Sequence, residues 1–74
     1  MAIPNGPNIQ AARERKKLSR SELAEKVGRS YVWVYNLEKG NKNTPREKLY
    51  LLADVLDVPI THIERKPQPV RETA

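Results

Sequence analysis

The chain has no cysteine, so neither a disulfide nor a thiolate-held metal can staple it. Its one histidine, His62, excludes a His-rich zinc site and any histidine pair. Glycine occurs only at Gly6, Gly28 and Gly40, too scattered for a Gly-rich phosphate loop. No apolar run approaches the roughly 18 residues of a membrane span, and the first residues lack the apolar core of a secretory signal. No nucleophile, carboxylate pair or metal set accompanies His62, which reads as an ordinary helix residue. These absences point away from an enzyme. They favour a cytoplasmic binding module with no cofactor, no metal, no membrane partner and no evident small-molecule site.

What is present is a single small domain of 74 residues. A chain of this size buries only about 60% of the surface its unfolded form exposes, so its stability is marginal. Lysine and arginine number 14 against 9 aspartates and glutamates, a net charge of +5. That excess suits an anionic partner, although charge of this size also serves solubility.

Apolar residues recur with helical spacing from residue 8 to residue 64, with no alternating strand pattern and no repeat. Residues 1–7 are expected to be a flexible arm, and residues 65–74, with Pro67 and Pro69, a flexible tail. Asn8 is placed to cap a first helix with Ile9, Ala12 and Arg13 on one face, ending near Lys17. Ser19 and Glu22 form a capping box for a second helix that buries Leu23, Ala24 and Val27 and stops at Gly28. Ser30 caps a third helix over about Tyr31–Glu38, with Val34 and Leu37 facing inward and Lys39-Gly40 ending it. Thr44, Pro45 and Glu47 read as the start of a fourth helix that buries Leu49, Leu52, Ala53 and Leu56. After Pro59 a last short turn of helix folds Ile60 and Ile63 back on the core, beside Leu18 and Val58. The expected fold is all-α, a compact five-helix bundle.

The informative stretch is Arg20–Glu38. Two helices that cross steeply through a short turn need a small residue at the crossing, a residue tolerant of positive φ in the turn, and aliphatic residues inside the second helix. Ala24, Gly28, Val34 and Leu37 meet those needs at the required spacing. With Arg13, Leu23-Ala24, Gly28, Ser30, Val34, Leu37-Glu38 and Gly40 in register, the chain resembles the lambda-repressor-like helix-turn-helix DNA-binding domain of the Xre/Cro family. The resemblance covers about Ile9 to Ile63. It implies five helices with the third in the DNA major groove, and an internal ion pair between Arg13 and Glu38. A separate physical reason supports the pair: Arg13 lies on the apolar face of the first helix, where a lone charge is costly and a carboxylate can take both prongs of the guanidinium. The chain departs from the family pattern at Lys17 and Asp57, where relatives usually carry glycine, and at Arg29, where an aliphatic residue is common. Lys17 is therefore expected either to adopt a strained positive φ or to sit in a different turn, and Asp57 to take left-handed backbone, which aspartate tolerates better than most residues.

With Ser30, Val34 and Leu37 facing the core, Val32 and Asn36 point most nearly outward, flanked by Tyr31, Trp33 and Tyr35. The resemblance places base readout at Tyr31, Val32, Trp33 and Asn36. Asn36 suits the N6 and N7 edge of adenine, and Val32 a thymine methyl group. Trp33 has two readings: along the groove wall, or on the body beside the second helix. Phosphate contacts are expected from helix N-termini and nearby polar or basic residues, namely Arg20, Arg29, Ser30, Tyr35, Lys42, Asn43 and Arg46. Arg15, Lys16 and Lys17 are assigned to the dipole-favoured end of the first helix.

The function implied is sequence-specific binding of a double-stranded DNA operator by a small transcriptional regulator, a repressor by family resemblance. It would be encoded by a bacterium or phage and act on the nucleoid. A homodimer is expected, in solution or only on DNA, with contacts from the edge carrying Val58, Ile60 and Ile63; a role as the N-terminal piece of a longer protein is the other option. The alternative function is a protein-interaction module of the same fold, an antitoxin or coactivator bridge that uses Tyr31, Trp33 and Tyr35 as a hot spot.

Overall fold

A computed structural model of the chain describes residues 3–40 and 43–65. Its elements in chain order are β1 (Ile3–Pro4), α1 (Gly6–Arg15), α2 (Arg20–Lys26), α3 (Tyr31–Lys39), α4 (Arg46–Leu56), α5 (Ile60–Ile63) and β2 (Glu64–Arg65). Five helices make an all-α bundle, and β1 pairs antiparallel with β2 at its edge, Ile3 opposite Arg65 and Pro4 opposite Glu64. The tail beyond Arg65, and Lys42, lie outside the described residues.

The first helix starts earlier than its apolar pattern suggests. Asn5, not Asn8, is the cap: its side chain accepts from the Asn8 backbone N–H at 3.2 Å. Pro7 sits in the first turn, where a missing N–H costs nothing and a fixed φ favours the helix. Asn8 is thereby free to donate from Nδ2 to the His62 carbonyl at 2.8 Å, joining α1 to α5. The Asn5 N–H reaches the Ile63 carbonyl at 2.8 Å. The segment read as an arm therefore carries ordered structure from Ile3 onward, with a strand pair too short to register as an alternating pattern.

The capping box of α2 is complete, with Ser19 and Glu22 bonding each other's backbone N–H at 3.0 and 2.7 Å. The Ser30 hydroxyl accepts from the Trp33 N–H at 3.1 Å and opens α3. At α4 the expected cap gives way. Pro45, with extended ψ of 139°, occupies the cap position and makes no side-chain cap bond; Thr44 is buried instead. Left-handed backbone ends four segments: Lys17 (φ 60°) after α1, Gly28 (φ 69°) in the α2–α3 turn, Gly40 (φ 73°) after α3 and Asp57 (φ 61°) after α4.

Ile9, Ala12, Leu23, Ala24, Val27, Val34, Leu37, Leu49, Leu52, Ala53, Leu56 and Ile63 form the core, with Leu18, Val58 and Ile60 only partly buried against it. Ile63 is fully enclosed, which removes it from the edge proposed for contact with a second copy. Among the described residues no helix is long and apolar enough to cross a membrane, and no acidic, histidine or cysteine cluster could hold a metal.

Gly6 lies directly against the end of α3. A Cβ built there collides with the Glu38 carbonyl at the end of α3. Gly6→Ala is expected to destabilise the fold by about 1–3 kcal/mol, read as a lowered midpoint in thermal unfolding followed by helix circular dichroism. An unchanged midpoint would show that α1 slides freely past α3.

Candidate nucleic-acid interface

α2 and α3 are the two helices of the expected motif, and their turn is fixed from three sides. Gly28 supplies the positive φ, Arg29 N–H bonds the Ala24 carbonyl at 2.9 Å, and the Lys48 ammonium reaches from α4 to the Val27 carbonyl at 3.2 Å. The last of these offers a cation to the negative end of α2.

α3 turns Val34, Leu37 and Glu38 inward. Its outer face carries Tyr31, Val32 and Tyr35, exposed by 49%, 61% and 40%. Asn36 and Trp33 are half-buried. Trp33 packs against the core cluster while the Arg29 guanidinium lies 5.4 Å from its ring centroid. The reading that puts Trp33 on the body matches this packing. With Gly28, Arg29, Ser30, Val32 and Asn36, Trp33 also lines an open concavity of about 510 Å³ at the start of α3. Of the four expected base-reading residues, Val32, Trp33 and Asn36 line this concavity, whereas Tyr31 stacks on Tyr35 outside it.

Beneath this face lies a charge cluster. The Arg13 guanidinium donates to Glu38 from Nε at 2.6 Å and from Nη2 at 3.3 Å, and from Nη1 to the Leu18 carbonyl at 2.8 Å. Arg13 and Glu38 are both buried. A second arginine joins them: Arg20 donates from Nε to Glu38 Oε1, the oxygen that Arg13 Nη2 also reaches, at 2.9 Å. The Glu38 carboxylate, and after it the Tyr31 hydroxyl, raise the Arg20 pKa. Arg20 also lies 5.1 Å from the Tyr35 ring centroid.

The residues expected at phosphates fall into distinct environments. Arg29, Ser30 and Asn43 are exposed. Arg20 is tied to Glu38. Arg46 is tied to Glu64 of β2 at 2.8 Å and lies 5.7 Å from the Tyr50 ring centroid; the Tyr50 hydroxyl first, then Glu64, raises its pKa. Neither tie was visible in the sequence. Spacing within one helix predicts pairs three or four residues apart, whereas these join residues 18 apart on different elements.

The helix-turn-helix family HTH_3 matches residues 9–63, and the chain belongs to that family, with the lambda-repressor-like fold. Among solved structures it is similar to the restriction-modification controller protein C.AhdI from Aeromonas hydrophila, at 28% identity and TM-score 0.71 over 77% of this chain and 83% of that one. It is likewise similar to the biofilm master regulator SinR, known from Bacillus subtilis and solved in complex with DNA, at 33% identity and TM-score 0.70 over 76% and 90% of the two chains. The clp gene regulator ClgR from Corynebacterium glutamicum matches at 27% identity and TM-score 0.72 over 76% of this chain and 60% of that one. No curated protein sequence matched.

Two outcomes test the electrostatics. Glu38→Ala leaves two arginines without their anion and is expected to cost about 3–5 kcal/mol in urea unfolding. Arg20→Ala keeps the Arg13 pair and should cost well under half of that; equal costs would show that the inner pair contributes nothing of its own. The second outcome concerns pH. The Ser19 backbone N–H, then its hydroxyl, holds the Glu22 carboxyl below its usual pKa. A lowered carboxylate pKa stabilises fully above the unfolded value and loses that contribution as pH falls through the folded one. Glu22→Gln is expected to flatten the acid limb of the melting temperature between about pH 6 and about pH 3; an unchanged limb would rule out a contribution from this box.

Proposed function

We propose that the protein is a sequence-specific regulator of transcription that binds double-stranded DNA with α3 in the major groove and represses by occupying an operator. The observation that carries this reading is the outer face of α3. A binding element in a groove must present side chains unoccupied by the fold, and Tyr31, Val32 and Tyr35 are the large residues that α3 leaves exposed, beside half-buried Asn36 and Trp33. The family membership and the likeness to SinR, which has been solved with DNA, support the same reading.

In this reading Asn36 accepts from and donates to an adenine edge, Val32 packs on a thymine methyl group, and Tyr31 and Trp33 complete the readout. Ser30 and Arg29 at the start of α3, Arg20 at the start of α2, and Tyr35, Lys42, Asn43 and Arg46 contact phosphates that fix register without reading sequence. For Arg46 this contact competes with Glu64. One domain of this size reads few bases, so two copies act together on half-sites about one helical turn apart. The half-buried Val58 and Ile60 lie on the edge available for that contact.

Selection of bound duplexes from a random pool, at low and moderate salt, tests the whole reading. The expected product is a palindrome with half-sites about one turn apart; no enrichment at either salt would defeat it and leave the aromatic face as a protein-docking surface. On the selected site Asn36→Ala is expected to lose about 1–3 kcal/mol and relax preference at one base position. Unchanged preference would remove Asn36 from the reading set.

A further inference from the structure

Tyr35 is a meeting point that the base-reading role of α3 does not explain. The Arg20 guanidinium lies 5.1 Å from its ring centroid and the Lys39 ammonium 5.3 Å, while Tyr31 stacks beside it at 6.5 Å with the rings 15° from parallel. One ring thus gathers two cations from different helices. Like charges repel, and the ring quadrupole recovers only part of that cost at an exposed site. Glu38 does not neutralise the group, because it already pairs with Arg13 and has one carboxylate for two guanidinium groups. The cluster therefore carries surplus positive charge at the surface.

The arrangement is also ordered. Glu38 holds Arg20 by its Nε, and no second carboxylate meets its terminal nitrogens among the described residues. The Nη edge is the one with which a guanidinium grips a phosphate in a fork. The Tyr35 ring lies within cation–π reach of both this guanidinium and the Lys39 ammonium.

We infer that Arg20, Tyr35 and Lys39 form a single preorganised clamp for one stretch of DNA backbone phosphate, in which Tyr35 is a positioning residue that aligns the two cations and Glu38 anchors the first. Lys39 becomes a phosphate ligand that sequence reading did not assign. The clamp rests on the DNA-binding reading above but makes a separate claim: a neutral side chain controls how strongly binding depends on salt. A ligand that releases condensed counterions gives a log–log salt slope of about 0.9 per phosphate neutralised.

The test measures affinity for a short random-sequence duplex at several salt concentrations. Lys39→Ala is expected to reduce the slope by about one. Tyr35→Leu removes no charge, yet is expected to weaken binding by about three- to tenfold and to reduce the slope by roughly half to one. Tyr35→Phe keeps the ring and is expected to hold the slope, losing only the affinity of the hydroxyl's phosphate contact. Thermal unfolding of each variant confirms that the fold is intact, which the exposure of Tyr35 favours. A Tyr35→Leu protein with weaker binding but an unchanged slope overturns the clamp, as does a Lys39→Ala protein with an unchanged slope. A wild-type chain with no salt-dependent binding defeats the DNA reading itself and the clamp with it.

Discussion

A single buried carboxylate, Glu38, organises the helix-turn-helix. It closes α3 from the inside, holds α1 through Arg13 and holds the start of α2 through Arg20. Burying a charge is favourable only when its lone pairs are well matched, and here both oxygens are taken by guanidinium nitrogens at hydrogen-bonding distance. Arg13 spends its remaining fork on the Leu18 carbonyl, so the α1–α2 connection is tied to the same network. Three helices that share few large apolar residues are thus set at fixed angles by directional bonds, and the core of aliphatic residues fills the space those angles define.

The same network explains why the outer face of α3 can be so free of internal partners. Glu38 and the aliphatic positions Val34 and Leu37 do the holding from one side. Tyr31 and Tyr35 stack on each other, Tyr35 also meets two cations, and Val32 stands exposed beside them. A helix of nine residues would be marginal in water alone. It is stable here because its caps, Ser30 and Gly40, and its buried edge are satisfied independently of the residues offered outward.

Much of this was legible in the sequence. Ser19 with Glu22, Ser30 and Gly28 are local signals, each acting within four residues, and the helices they bound lie where they predict. The five-helix bundle and the inward set of Val34 and Leu37 follow from periodicity alone. The illegible features are those made by elements far apart in the chain. Residues 1–7 read as an arm, yet Pro4 sits in a strand and Pro7 in the first helical turn. Thr44 reads as a cap, but tertiary packing buries it. Arg20 and Arg46 read as free cations, because nothing in the spacing of residues reveals a carboxylate delivered by another element. For the candidate interface, helical geometry together with the family resemblance pointed to the outer residues of α3, whereas the grouping of cations around Tyr35 required coordinates.

The strand pair at the edge of the bundle also bears on the order of assembly. β1 and β2 bring Ile3 beside Arg65, the longest closure in the fold, and forming such a loop carries an entropic cost that grows with its length. Each strand is two residues long, so the pairing alone returns little. It is expected to close after the helices have docked and to open before they part. Amide hydrogens of this clasp are then expected to exchange by a local opening, and those of α2 and α3 only when the bundle as a whole comes apart.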